Sequence, residues 1–470
     1  MIRRPLAVAL LAVLGTSALL PATVAAEDLL QTYELARSGD PQLSAAEAGR
    51  LATREGAVQA RAAMLPQVGG QASYTENRTD STGNQVFGSL LFPSDTTQDA
   101  TIRNAGLNLN QMVYDRSKVT ALKSQRALSQ ASDFQVESAG DALITRTSAA
   151  YFNVLVQLET LAAAEAAETA LKKQFDFASK RLEVGLAPIT DVHEARAQFD
   201  SARASTILAR NAVADAYQAL VEITGQPVHS LKGLPADFQP ALPEARDAQG
   251  WVQSATDNNP ALKAKEFQVQ SAEDDVETAR AGHWPTLYFG GSYGDRKTDG
   301  TSFNNLDQRL TAFENQSRSR SLGLTLSVPI FAGGAVQSGV RQALARRDVA
   351  GDELEQQKRA LVRNTRNAYQ ALVAGVSEVE ARRLALVSAQ SAYDASQVGL
   401  EVGTRTVLDV LNNQRTLFSA QQAYAQAKYN FLQSRLLLEQ SAGTLDVSDV
   451  EDINRLLTTD KAIDQALAAR

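Results

Sequence analysis

The sequence predicts a mainly α-helical fold: a duplicated unit of long antiparallel coiled-coil hairpins plus two strands. Three observations predict it. First, the 470-residue chain repeats itself in register. Asp40-Pro41-Gln42-Leu43 recurs as Asn259-Pro260-Ala261-Leu262, and Ser73-Tyr74 as Ser292-Tyr293, both 219 residues on. Gly106-Leu107-Asn108-Leu109 matches Gly323-Leu324-Thr325-Leu326 at 217, and Ala150-Tyr151 matches Ala368-Tyr369 at 218. A register held that long marks one unit copied once. Second, hydrophobic residues make up 44% but aromatics only 6%, a bias toward long helices packed closely. Third, apolar and small residues recur at strict 3-4 spacing over several heptads, the sign of a coiled coil.

Taken in order, the chain opens on Arg3 and Arg4, an apolar run over 6–14, Pro21 and Val24-Ala25-Ala26. A basic start, a short apolar core and a small-x-small end read as a secretory signal over 1–26. The first repeat covers 27–225 and the second 251–443. Between them, 226–250 is a linker with Pro227, Pro235, Pro240 and Pro243, and 444–470 is a tail. Each repeat begins with a helix, about 42–63 and 261–282, stopped by Pro66 and Pro285. Two strands follow in each, about 67–80 and 99–113, then 286–298 and 316–329. Leu322, Leu324, Leu326 and Val328 alternate with Ser321, Gly323, Thr325 and Ser327, the period of a strand with one apolar face. The polar stretches 81–98 and 299–315 read as loops. Very long helices come next, roughly 115–183 and 334–401, about 100 Å each at 1.5 Å per residue. Turns over 184–190 and 402–408 reverse the chain into return helices. Their seams run Val192, Ala195, Phe199, Ala202 onward, and Val410, Asn413, Leu417, Ala420 onward.

Chemistry is excluded more sharply than it is suggested. With 53 acidic and 46 basic residues, net charge −7 and no basic cluster, the chain is a poor nucleic-acid binder. No cysteine is present, so disulfides, thiolate metal sites and thiol nucleophiles are absent. His193-Glu194 begins a zinc-helix pattern, but Ala197 stands where the second histidine belongs. The glycine pairs lack phosphate-loop spacing, and 273–275 lacks the oxygen spacing of a calcium loop. The sequence predicts neither an enzyme nor a cofactor.

Four strands cannot close a barrel, and open edges cannot face lipid, so strands that enter a membrane require several copies to share one barrel. Eight strands are filled by their own side chains, so conduction needs at least a trimer. At this point the duplicated strand-pair and coiled-coil plan, Leu65-Pro66-Gln67, VGLAPITDV at 184–192 and VGTRTVLDV at 402–410 closely resemble the TolC family of outer-membrane efflux and secretion channels. The resemblance covers essentially the whole chain after the signal. It implies transmembrane β: a homotrimer in outer-membrane lipid, with a 12-stranded β-barrel continuous with a 12-helix α-barrel across the periplasm. A periplasmic adaptor and an inner-membrane transporter are the implied partners. Val184, Gly185, Leu186, Val402, Gly403 and Thr404 become adaptor-contacting tips. Thr190, Asp191, Arg405, Asp409 and Asn412 become the periplasmic gate and constriction. Asn412 departs from the family's pattern, in which a second ring acid often stands there, and Leu400 replaces a polar tip residue. The competing reading is a periplasmic coiled-coil adaptor or scaffold without a barrel, which the duplicated strand pairs disfavour.

Overall fold

The computed structural model describes residues 27–186, 188–235, 237–242, 247–306 and 308–462. The secretory segment and Pro243 lie outside these residues. In the first repeat, α1 (Leu29–Gly39) and α2 (Pro41–Ala62) lead into β1 (Gln67–Phe87) and β2 (Leu90–Tyr114), then α3 (Arg116–Glu183) and α4 (Ile189–Thr224). A short β3 (Ser230–Gly233) precedes the second repeat: α5 (Ala248–Asn258), α6 (Pro260–Arg280), β4 (Thr286–Asn304), β5 (Arg309–Ser327), α7 (Ala335–Glu401) and α8 (Val407–Ala442). The chain finishes with α9 (Val447–Asn454) and β6 (Thr459–Ala462). The molecule is mainly helical.

Asp40 both ends α1 and starts α2: its backbone N–H bonds to Ala36 O at 2.8 Å, and its carboxylate accepts from Leu43 N at 2.9 Å. Asn259 does the same between α5 and α6. The 11-residue helices α1 and α5 are additions to the sequence reading, being too short to show a period of their own.

The long helices begin on contrasting caps. Asp115 accepts from Ser117 N before α3, while Gly334 at φ 85 precedes α7 without a side-chain cap. Helices α3 and α4 form one hairpin, and α7 and α8 the other. In α4 the seam residues Ala195, Thr206, Val213, Ala216 and Leu220 are buried, as are Val410, Leu417, Tyr424, Ala427, Phe431 and Leu438 in α8. The main core lies where α1, α3, α8 and the short sheet converge, around Tyr151, Phe152, Leu155, Trp251, Tyr429, Leu432 and Leu436. There β3 pairs with β6, Glu27 bridges Leu231 in parallel, and Tyr151 OH donates to Lys232 O at 2.8 Å. A Tyr OH buried with a satisfied partner costs little and fixes the position of this short sheet on α3.

The four long strands form one antiparallel sheet in the order β1-β2-β4-β5, leaving β1 and β5 as open edges. Both hairpins share one register: Tyr74 faces Arg103 and Tyr293 faces Arg320, in each case with the guanidinium over the ring at 5.9 and 5.7 Å. Rows across the sheet separate by face. Val68, Leu109, Gly291 and Leu322 make one row, and Gly69, Asn108, Ser292 and Ser321 the next, on the opposite face. The apolar face runs from Leu287 and Leu326 to Leu107 and Tyr293, then turns charged at Arg103, Lys297 and Arg318.

The strands are longer than the sequence bounds. The stretch 81–98 is almost entirely ladder, turning at 88–89, and 299–304 pairs with 309–315 and beyond as ladder. Backbone pairing continues there although the apolar alternation is broken, returning only in pairs such as Val86 with Leu91 and Phe303 with Leu310, and a side-chain period cannot report that. Both expected loops are corrected to tight turns on long ribbons.

Candidate functional site: the hairpin tips

Each hairpin reverses through the same bonded turn. After α3, Gly185 at φ 73 lets its N–H reach Leu182 O at 2.9 Å, while Leu186 N–H reaches Arg181 O at 2.7 Å. After α7, Gly403 at φ 78 bonds Leu400 O at 3.2 Å, and Thr404 N–H bonds Gly399 O at 2.8 Å. These paired bonds satisfy the last helical carbonyls, and the left-handed residue between them has no Cβ to clash. Val184, Leu186 and Val402 project from the turns, well exposed. The turn chemistry thus supplies two apolar knobs on the first tip and one on the second.

The return helices start differently. Pro188 caps α4 with no side-chain bond, and Thr190 and Asp191 sit in the first turn. Thr406 caps α8 in a reciprocal box: Asp409 N–H donates to Thr406 Oγ1 at 3.2 Å, and Thr406 N–H donates to Asp409 Oδ2 at 2.9 Å. The Thr406 bonds, with Arg405 adding charge attraction, hold the Asp409 carboxyl below its ordinary 3.8. Its negative charge also meets the positive end of the helix dipole. Arg405 folds back so that its stem covers Gly399, where a Cβ would meet Arg405 Cγ at 2.7 Å. Asn412, one turn after Asp409, lines a shallow groove with Arg382 and Arg415. A second acid at that position would have offset part of this positive charge.

Within one chain the two tips are not joined: among the described residues no hydrogen bond or ion pair links Thr190 or Asp191 to Arg405. A groove of about 780 Å³ separates them, lined from α3 by Glu165, Lys173 and Phe177, and from α7 by Tyr393, Gln397 and Leu400. Of its lining, sequence reasoning singled out only Leu400 and, as a seam residue, Val410. Its walls come from helices more than two hundred residues apart, and no local period marks such a surface. Among the described residues no cluster of His, Asp and Glu could hold a metal ion.

The model of the outer membrane efflux protein family matches residues 32–226 and again 251–444, the two repeats in turn. The chain belongs to the outer membrane efflux protein family. It is 33% identical to the outer membrane protein TolC of Vibrio cholerae serotype O1, over 94% of this chain and 96% of that one. It is 30% identical to the alkaline protease secretion protein AprF of Pseudomonas aeruginosa, over 90% and 86%. Its fold matches the Campylobacter jejuni CmeC outer membrane channel with TM-score 0.72 at 17% identity, over 92% and 90% of the two chains. It matches the outer-membrane channel OprN with TM-score 0.70, over 89% and 90%. The protein is accordingly an outer-membrane efflux or secretion channel of the TolC type.

Proposed function

We propose that three copies close their four-stranded sheets into one 12-stranded barrel in the outer membrane, continuous with a 12-helix tunnel through the periplasm. The tunnel is a passive exit, handing small toxic compounds or secreted proteins outward from an inner-membrane transporter through a periplasmic adaptor. One observation carries this reading: a sheet with open edges and one apolar face is continuous with hairpins about 100 Å long. Its apolar stretch, Leu287 to Tyr293, runs roughly 20 Å along the strand, part of the length a tilted membrane strand needs. Tyr74 and Tyr293, each under an arginine, stand where apolar rows give way to charged ones, as interfacial aromatics do. Twelve strands at about 4.8 Å spacing and a tilt near 40° enclose a backbone radius of roughly 12 Å, wide enough for water.

In this reading Val184, Gly185, Leu186, Val402, Gly403 and Thr404 meet the adaptor, and Thr190, Asp191, Arg405, Asp409 and Asn412 form the gate. The Arg405 backbone N–H bonds to Gly399 O at 3.1 Å, but its guanidinium has no hydrogen-bond partner among the described residues of its own chain, so the fork is available to a neighbouring tip. Three Asp409 carboxylates around a narrow axis favour cations. Single-channel recording in planar bilayers tests both roles. Arg405→Ser should raise conductance, and Asp409→Asn should lower cation selectivity while leaving an oxygen to accept from Thr406 N–H. Acidification that protonates the Asp409 carboxyls should abolish this selectivity. Variants that conduct and select like the wild type would place the constriction elsewhere.

A further inference from the structure

The four-stranded sheet sorts its charge by face. Side chains alternate across a strand, and the register carries that alternation through all four strands, shifting only between Met112 and Tyr114. Val68, Leu107, Leu109, Phe289, Tyr293 and Leu324 therefore share the apolar face. Every acid on these strands, from Glu76 and Asp80 in β1 to Glu314 in β5, stands on that same face. Bases accompany them there in close pairs. Arg318 lies 3.3 Å from Asp295, Lys297 2.6 Å from Glu314, and Arg78 3.9 Å from Asp99. Beyond the apolar rows, this face is a mosaic of opposite charges.

The opposite face is small and polar, with Ser73, Asn104, Asn108, Ser292 and Ser321 along its rows. Among the described residues its only charges are Arg296 and Arg309, both basic. Arg296 pairs with Asn104 on one side and Ser317 on the other, and Gly294 and Thr298 flank it along the strand. Arg309 pairs with Asn304 next to the turn between β4 and β5, with Thr311 following on that face. Both arginines are exposed. Among the described residues neither guanidinium makes a hydrogen bond or an ion pair, and no acid stands beside either. A face that merely met water would mix both signs, as the charged rows opposite do. This one excludes acids.

We propose that Arg296 and Arg309 line the outer part of the duct as two cationic rings that favour anions, opposite in sign to the Asp409 ring at the tips. The inference rests on the trimeric duct proposed above and adds to it what the barrel selects. With the apolar face toward lipid, the polar face encloses the lumen. Arg296 follows Tyr293 by three residues, so its ring stands just outside the level of the interfacial aromatics. Arg309, opposite Asn304, lies roughly 27 Å farther along the strand. With a backbone radius of roughly 12 Å and a Debye length of about 10 Å at about 0.1 M salt, either ring's field reaches the axis. Arginine keeps its charge at any working pH, so the rings do not titrate. Cations are then favoured at the constriction and anions near the mouth. Small anions and acidic segments of an emerging polypeptide are the cargo chemistry these rings would hold.

Planar-bilayer recording in an Arg405→Ser, Asp409→Asn background, which removes the proposed link and charge at the tips, isolates the barrel's contribution. Against that parent, Arg296→Gln with Arg309→Gln should shift the chloride-to-potassium permeability ratio toward potassium by about twofold at about 0.1 M salt. At about 1 M salt, where the Debye length falls to about 3 Å, the shift should nearly vanish. The chain has no cysteines, so single thiols report the face without background. In the same parent, an anionic methanethiosulfonate reagent should change the current of Arg296→Cys channels in steps and move their selectivity further toward potassium. Lys297→Cys, one residue on and facing the other way, should leave the current unchanged. Current that responds at Lys297→Cys and not at Arg296→Cys overturns the assignment of faces, and the rings with it. Open channels whose selectivity moves neither with the paired Gln variants nor on modification of Arg296→Cys overturn the rings and spare the duct. A chain that forms no channels in any of these variants or in the wild type overturns both.

Discussion

Asp141 is a carboxyl in an unfavourable place. Burial pushes it up to about 7, and Glu137 on its own helix and Asp446 from the tail add like charge. Tyr33 and Arg37 of α1 face the same cluster. A carboxyl whose folded value is raised contributes stability that is complete below its ordinary 3.8 and is lost as pH rises through about 7. Asp141→Asn should therefore stabilise the protein at pH 8 by about 1 kcal/mol once screening by water is allowed for. At pH 4 it should change nothing. Thermal unfolding in detergent across that range reads the difference, and an equal shift at both pH values would contradict the burial of this group. Residues of this kind are invisible in sequence, because Asp141 looks like any other helical acid until the tail and α1 arrive beside it. The tip glycines were legible, since Gly185 and Gly403 follow a long helical period and supply the left-handed geometry that ends it.

At the scale of elements, the two hairpins are pinned together inside the core. Lys428 of α8 is buried with its Nζ 3.3 Å from Glu159 Oε2 of α3, and Tyr429 OH donates to Glu159 Oε1 at 3.0 Å. The Tyr424 and Tyr429 rings flank the ammonium at 5.0 and 5.6 Å. Removing one partner strands the other, so Lys428→Met should cost about 3 kcal/mol in chemical denaturation, while adding Glu159→Gln should recover most of it. Full additivity of the two losses would show that the pair is not coupled. The strands carry the second prediction at this scale. A peptide tag inserted between Gly88 and Ser89 should be reachable on intact cells, and labelling only after lysis would reverse the topology. The long helices and their seams could be read directly, because a 3-4 period over several heptads has few alternatives. The strand ends could not. Thr, Ser and Asn over 81–98 match a loop in composition, and only backbone pairing distinguishes the ribbon.

At the scale of the molecule, duplication explains both what is packed and what is left open. Helix α6 of the second repeat covers α3, and among the described residues no helix of the first repeat covers α7 in the corresponding way. The sheet shows the same imbalance: two inner strands are paired on both sides, and two outer strands on one. A single chain therefore carries an unpaired strand edge at each side and an exposed apolar face, which a stable monomer avoids. In the proposed trimer, closure by copies of itself removes both together. Native mass spectrometry of the complex extracted in detergent tests this most directly. Three copies of the mature chain are the expected result; a stable monomer would contradict the closed duct.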